Sequence, residues 1–108
     1  MEIVVDAYDV WEQAMGWYYH LQDTLKFPFK AECSKKRAIS PLRLNEQVDV
    51  IGMPPEEECA KEIFVMVTWE GRRFCVPLSQ LECFSKDKKT KEAIADWHYW
   101  VERGYEFA

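Results

Sequence analysis

The hydrophobic pattern at the start of the chain is that of an amphipathic helix. Apolar side chains recur three or four residues apart and form one stripe on a helix predicted over residues 7–25. Asp6 is expected to cap this helix, and Asp9 adds a favourable negative charge in its first turn. Pro28 excludes a continuation, because its ring fixes the backbone and removes an N–H donor. The stripe consists of Val10, Ala14, Trp17 and Leu21.

From residue 27 onward, apolar and polar residues alternate, as they do in a strand with one buried face. The first predicted strand spans residues 27–33. A second strand begins near Val48 and ends at the Gly52–Pro55 segment, and a short one covers Leu81–Phe84. The middle of the chain is therefore predicted to be a set of short strands.

The clearest local signal predicts an antiparallel hairpin between Phe64–Trp69 and Arg73–Leu78. Both arms are rich in residues that favour strands, and Glu70 and Gly71 stand between them. Glycine at the second turn position supplies the positive φ that a tight hairpin requires.

A second helix is predicted near the end of the chain, capped by Thr90 and ended by Gly104. Short strands joined by tight turns, with a helix on either side, favour one fold class. We predict an α+β fold: a small antiparallel SH3-like β-barrel of four or five strands, flanked by an N-terminal and a C-terminal helix. Without a repeat or linker, residues 1–108 are expected to form a single domain. The buried stripe of the second helix is Ala93, Ile94, Trp97 and Val101.

Composition narrows the class of protein. Of the 108 residues, 48% are hydrophobic and 15% aromatic, which is enough for a folded core. Fourteen basic residues stand against nineteen acidic ones, a net charge of −5. A net acidic charge disfavours sequence-independent binding to DNA or RNA, which requires a basic face that neutralises phosphates. No segment has the length of a membrane span or the pattern of a signal peptide, so we expect a cytoplasmic protein with no membrane or nucleic-acid partner.

Four cysteines, Cys33, Cys59, Cys75 and Cys83, are expected to be reduced, because a reducing compartment disfavours structural disulfides. Their spacing contains no C-x-x-C pair of the kind that zinc sites use. Buried or half-buried thiols are therefore the leading interpretation, ahead of zinc binding and of a catalytic thiol.

Catalytic chemistry finds little support in the sequence. It contains no phosphate-binding loop of the G-x-x-x-x-G-K type. Nothing places His20 or His98 beside a nucleophile, and both lie among aromatic residues on predicted helices, as histidines in packed surroundings do. We therefore predict no enzymatic activity.

The charge distribution is more informative. The 17 residues from Glu46 to Glu62 carry six acids and one base, Lys61, so their net charge equals that of the whole protein. Three adjacent glutamates follow Pro54 and Pro55 in this stretch. A hard divalent cation would relieve their repulsion, although the spacing is not that of an EF-hand. On the residues alone, a solvated acidic loop and a metal site both remain open. The six acids are Glu46, Asp49, Glu56, Glu57, Glu58 and Glu62.

Several phrases of the sequence, in a consistent order over most of the chain, resemble the cyanobacterial calcium-binding proteins of the CcbP type. They are residues 17–21 (WYYHL), 27–31 (FPFKA), 40–42 (SPL), 50–53 (VIGM) with the acidic loop and Cys59, 76–81 (VPLSQL) and 93–100 (AIADWHYW).

The resemblance implies a compact cytosolic protein that binds Ca²⁺ through surface carboxylates, as a calcium buffer or sensor without an EF-hand. In that lineage calcium is linked to the differentiation of nitrogen-fixing cells. The residues that match the acidic loop are Glu56, Glu57 and Glu58, and Glu46, Asp49 and Glu62 flank it as further metal ligands. The alternative function is a protein-interaction module on an SH3-like barrel, with an unknown protein partner and no metal dependence.

Overall fold

The computed structural model describes residues 10–103, which contain two α-helices and five β-strands. The first helix, α1, spans Val10–Thr24, and the second, α2, spans Lys88–Glu102. The predicted order of helix, strands and helix is confirmed. Neither helix is long and apolar enough to cross a membrane. The strands are β1 (Phe29–Cys33), β2 (Gln47–Gly52), β3 (Phe64–Trp69), β4 (Arg72–Pro77) and β5 (Leu81–Cys83).

The five strands form one antiparallel sheet in the order β4-β3-β2-β1-β5. The alternation of the sequence becomes two faces: Phe29, Ala31 and Cys33 of β1 are buried, while Lys30 between them is exposed. The same alternation continues on β2, where Asp49 is exposed. One face of the sheet is therefore part of the core and the other carries polar side chains.

The expected closure of the sheet into an SH3-like barrel is not confirmed. Within residues 10–103, β4 and β5 are the two edges of the sheet and are not paired with each other. The 3₁₀ turn Leu78–Gln80 leads directly from one edge strand to the other. The last strand has only three residues, and it is hydrogen-bonded to β1. The sheet is open, and the α+β class is confirmed.

The predicted hairpin is confirmed: β3 and β4 pair from Phe64↔Pro77 to Trp69↔Arg72. Both turn residues have a positive φ, 50° at Glu70 and 76° at Gly71. Positive φ at both central positions is the feature of the turn type whose twist matches the flanking strands. Glycine takes this conformation at little cost, whereas the glutamate does so because the two strands fix it.

The buried stripe of α1 is confirmed at Ala14, Trp17 and Leu21, which are at most 4% exposed. The predicted first turn, with Asp6 as cap and Asp9 beside it, lies outside the described residues.

The start of α2 corrects one prediction: the cap is Asp87, not Thr90. The Asp87 carboxylate accepts hydrogen bonds from the Thr90 backbone N–H at 2.9 Å and from its hydroxyl at 2.8 Å. These hydrogen bonds are the main cause that lowers the pKa of Asp87, and the contact with Lys26 contributes less. The Thr90 hydroxyl is completely buried and accepts from the Lys26 backbone N–H, so it lies inside the first turn. Gly104, the expected end of the helix, lies outside the described residues.

The two helices meet through tryptophans. The ring centroids of Trp17 and Trp97 are 5.1 Å apart in an edge-to-face contact, and Trp100 lies 5.7 Å from Trp17. These side chains belong to the same hydrophobic cluster as the buried face of the sheet. The core therefore fixes α1 relative to the sheet, and α1 in turn contacts the loop that carries the acidic residues.

Candidate metal centre

Glu56–Cys59 forms a single 3₁₀ turn between β2 and β3, which we call the acidic turn. Pro54 before it and Cys59 at its end are both buried. The Cys59 thiol is within hydrogen-bonding distance of the Phe64 backbone, 3.4 Å from its N–H and 3.6 Å from its carbonyl oxygen. Both ends of the turn are thus anchored in the core, and the three glutamates between them are held at the surface.

Two consecutive tyrosines of α1 reach this segment. The buried Tyr18 hydroxyl donates to the Pro54 carbonyl oxygen at 2.6 Å, and the exposed Tyr19 hydroxyl donates to the Glu56 carboxylate. Burial is the main cause that raises the pKa of Tyr18, whereas the hydrogen bond to Glu56 is the main cause that raises the pKa of Tyr19. The helix therefore holds both the Pro54 backbone before the acidic turn and the Glu56 carboxylate within it.

Replacement of Tyr18 by phenylalanine is expected to destabilise the protein by about 1–3 kcal/mol, because it leaves the buried Pro54 carbonyl without its donor. Urea denaturation measures this loss. Tyr99→Phe is the matched control: Tyr99 is 61% exposed, so loss of its hydroxyl should leave the denaturation midpoint unchanged. Equal midpoints for the two variants would contradict an anchoring role for Tyr18.

The three glutamates of the turn do not share one environment. Glu56 is half-buried and accepts a hydrogen bond from Tyr19, whereas Glu57 and Glu58 are exposed. A shallow, open concavity is lined by Glu57 and Glu58 together with Ala60, Lys61, Glu62 and Phe64, and Glu56 is not part of its lining.

The three flanking acids have other partners or positions. Glu62 forms an ion pair with Arg37 at 2.9 Å, and this arginine also donates to the Ser79 hydroxyl at 3.2 Å. The Glu46 carboxylate accepts from the Arg43 backbone N–H within its own turn. Asp49 lines a separate groove on the polar face of the sheet, opposite Lys30 and Thr68 on the neighbouring strands.

The donor chemistry of the acidic turn suits a hard cation, because carboxylates and loop carbonyls are the usual ligands of calcium. The side chains are not assembled in advance, however: within residues 10–103, no three acidic, histidine or cysteine side chains are close enough to hold a metal ion. A metal ion at this turn would require at least one carboxylate to rotate, or water and backbone oxygens to complete the shell.

A protein-family profile described as calcium binding, Calci_bind_CcbP, matches residues 1–101. The chain belongs to the CcbP family. The crystal structure of Anabaena CcbP is 47% identical to this chain, covers 96% of it and 85% of its own length, and superposes with a TM-score of 0.82. A second solved structure, of a calcium-binding protein in the calcium-binding form, is 45% identical to this chain. It covers 97% of this chain and 86% of its own length, with a TM-score of 0.84. No match was found among curated protein sequences.

In this CcbP-family chain, three residues that contact Glu56, Glu62 or the Pro54 backbone before the acidic turn were not predicted as part of the site. Tyr18 and Tyr19 are held on α1, 36 and 37 residues before their partners, and Arg37 lies 25 residues before Glu62. Tyr18 and Tyr19 lie between Trp17 and Leu21 of the apolar stripe, in the WYYHL phrase that resembles the family, and neither signal indicates their partners. Nothing in the spacing of Arg37 indicates its partner.

The four cysteines are free thiols, as expected. Cys33 and Cys59 are buried, and Cys75 and Cys83 are half-buried. Burial raises the pKa of the Cys59 thiol to about 11, and it raises the pKa values of Cys75 and Cys83. Thiolates are the reactive form, so none of the three has the lowered pKa of a reactive cysteine.

Titration of the denatured, unreduced protein with a thiol reagent is expected to count four thiols, with negligible zinc by elemental analysis. In the native protein at pH 8, Cys33 and Cys59 should react more slowly than Cys75 and Cys83, because they are buried. Fewer than four thiols after denaturation would contradict the assignment of free cysteines.

Both histidines have packed surroundings, as predicted. His20 is half-buried at the edge of the Trp17 ring, and burial lowers its pKa. The Nε2 atom of His98 lies 3.4 Å from the Leu78 carbonyl oxygen. Neither contact involves a nucleophilic side chain.

The alternative interaction module would require an exposed apolar surface. Among residues 10–103, six large hydrophobic side chains are more than two-fifths exposed, from helices, loops and the segment after β5. Single exposed hydrophobic residues are normal on protein surfaces, so they do not identify a partner. They are Trp11, Tyr19, Ile39, Leu44, Phe84 and Tyr99.

Proposed function

We propose that this protein binds Ca²⁺ at the acidic turn and acts as a calcium buffer or sensor without an EF-hand. The observation that carries the proposal is the anchoring of three adjacent glutamates: buried Pro54 and Cys59 hold the two ends of the turn, and Tyr18 ties its start to α1. Membership of a calcium-binding family supports the choice of ion.

Glu57 and Glu58 are the proposed first ligands, because both are exposed and line the same concavity. Glu56 and Glu62 lie next to them and have competing partners, Tyr19 and Arg37. Backbone carbonyl oxygens of the turn and water molecules would complete the six to eight oxygens that calcium takes. Glu46 and Asp49 are more distant candidates, since neither lines the concavity.

The charge and openness of the turn set the expected affinity. Three carboxylates on one 3₁₀ turn repel each other, and a divalent cation removes that repulsion. The concavity is shallow and exposed, so several waters remain on the ion. We therefore expect a dissociation constant on the order of 10⁻⁶ to 10⁻⁴ M, in the sensor-to-weak part of the range for protein calcium sites.

Isothermal titration calorimetry of the protein with CaCl₂ tests the proposal, with MgCl₂ as the control. Calcium should give a saturable isotherm. Magnesium should bind more weakly, because it is smaller, demands octahedral geometry and loses its waters reluctantly. No heat or thermal stabilisation with millimolar calcium would overturn the proposed function.

A buffer and a sensor differ in whether calcium changes the conformation. Trp17, Trp97 and Trp100 form one ring cluster between the two helices, and their near-ultraviolet circular dichroism reports their packing. A spectrum that is unchanged at saturating calcium supports a buffer. A changed spectrum supports a sensor.

A further inference from the structure

Tyr18 and Tyr19 are adjacent on α1, but their hydroxyls have partners of different kinds. The Tyr18 hydroxyl is buried and donates to a backbone carbonyl, that of Pro54. The Tyr19 side chain is 47% exposed and donates to a charged carboxylate, that of Glu56. The first contact holds the backbone, whereas the second engages Glu56, a further candidate ligand for a metal ion at the acidic turn.

We propose that Tyr19 is an internal competitor of the calcium site, whose hydroxyl holds Glu56 in the metal-free protein and releases it when the acidic turn binds calcium. This inference rests on the proposed function and adds a regulatory residue to it.

The position of Glu56 supports the competition. Its carboxylate is bonded to Tyr19 on α1, and Glu56 is absent from the lining of the concavity that Glu57, Glu58 and Glu62 share. The hydrogen bond holds the carboxylate at Tyr19 and outside the lining of the concavity, so Glu56 must rotate before it can join Glu57 and Glu58 as a ligand. Calcium takes six to eight oxygens, and the turn offers three carboxylates, so the loss of one weakens the site.

The release of Glu56 requires only a side-chain rotation. The Tyr18 hydroxyl still binds the Pro54 carbonyl, and Cys59 remains buried in the core. The backbone of the turn is therefore expected to keep its position. The exchange replaces one hydrogen bond to a carboxylate, at an exposed position, by a metal–oxygen contact. A hydrogen bond of this kind corresponds to a change in affinity of about threefold to tenfold.

Calcium titration of Tyr19→Phe tests the proposal. The variant keeps the ring, including its edge-to-face contact with Tyr18 at 5.3 Å between centroids, and removes only the competing hydroxyl. We expect it to bind calcium about threefold to tenfold more tightly than the parent protein. Tyr99→Phe removes the hydroxyl of another exposed tyrosine, on α2, and should bind calcium with the parent affinity.

A second readout follows the hydroxyl directly. In protein labelled with ¹³C at tyrosine Cζ, the Tyr19 signal, assigned by its loss in Tyr19→Phe, reports the hydrogen bond. Without metal, Glu56→Gln should shift the Tyr19 signal, because the charged acceptor is replaced by a neutral one. Addition of calcium to the parent protein should move the signal in the same direction and leave that of Tyr18 in place.

The outcomes separate the inference from the proposed function. Tighter binding by Tyr19→Phe together with a calcium-dependent Tyr19 signal supports the competition. Unchanged or weaker binding by the variant, in a parent protein that does bind calcium, overturns the competition and leaves the proposed function intact. Absence of calcium binding in both proteins overturns both.

Discussion

The triple variant Glu56→Gln, Glu57→Gln, Glu58→Gln is expected to remain folded and to lose the thermal stabilisation by calcium. Glutamine keeps the shape of each side chain and removes its charge, which a hard cation requires. Glu57 and Glu58 are exposed, and none of the three side chains belongs to the hydrophobic core. The fold therefore does not depend on their charges.

The size of the effect follows from mass action. Calcium at a hundred times its dissociation constant stabilises the native state by about 2.7 kcal/mol if it binds only that state. In a protein of this length, that corresponds to a rise in Tm of roughly 10 °C. Differential scanning calorimetry should show this rise for the parent protein and little or none for the triple variant.

A second triple variant controls for net charge: Glu12→Gln, Glu82→Gln, Glu92→Gln. These glutamates are exposed, lie on α1, β5 and α2, and do not line the concavity beside the acidic turn. The charge change is the same, so long-range attraction of calcium falls equally in both variants. The control should keep most of the rise in Tm. If the acidic-turn variant keeps it as well, the site lies elsewhere and the assignment of these residues is wrong.

Replacement of Trp97 by alanine is expected to destabilise the protein by about 3–5 kcal/mol, as large-to-small substitutions in cores do. Trp97 is 2% exposed and packs edge-to-face against Trp17, so the change opens a cavity between α1 and α2. Guanidinium denaturation followed by circular dichroism measures the loss.

Tyr99→Ala is the matched control on the same helix. Tyr99 is 61% exposed, and the Arg103 guanidinium lies over its ring at 5.6 Å from the centroid. Loss of this exposed side chain should change the free energy of unfolding by no more than about 0.5 kcal/mol. Similar losses for the two variants would contradict the central place of the tryptophan cluster in the core.

Local patterns predicted most of the fold. The apolar stripe located α1 because helix periodicity brings Ala14, Trp17 and Leu21 to one face. The Glu70–Gly71 turn located the hairpin because only a few residue pairs suit such a turn. The helix cap was misplaced by three residues, since both Asp87 and Thr90 suit a cap by composition and the backbone geometry decides between them.

Less of the candidate site could be predicted from the sequence. The acidic stretch of residues 46–62 was identified as one set, but its members fall on a turn, a strand and two loops with different neighbours. The strand register directs Asp49 to the polar face beside Lys30. Glu62 is paired with Arg37, from a loop 25 residues earlier. Partners so distant in sequence are set by the packing of whole elements, which spacing alone does not encode.

The most direct test of calcium binding at the acidic turn is the structure of a crystal of the protein soaked in CaCl₂, with anomalous scattering to identify the ion. We predict an ion at the acidic turn with at least two carboxylates from Glu56, Glu57 and Glu58 among its ligands, at the distances of about 2.3–2.6 Å typical of calcium. A calcium ion bound elsewhere, with all three of these glutamates unligated, would contradict the central claim.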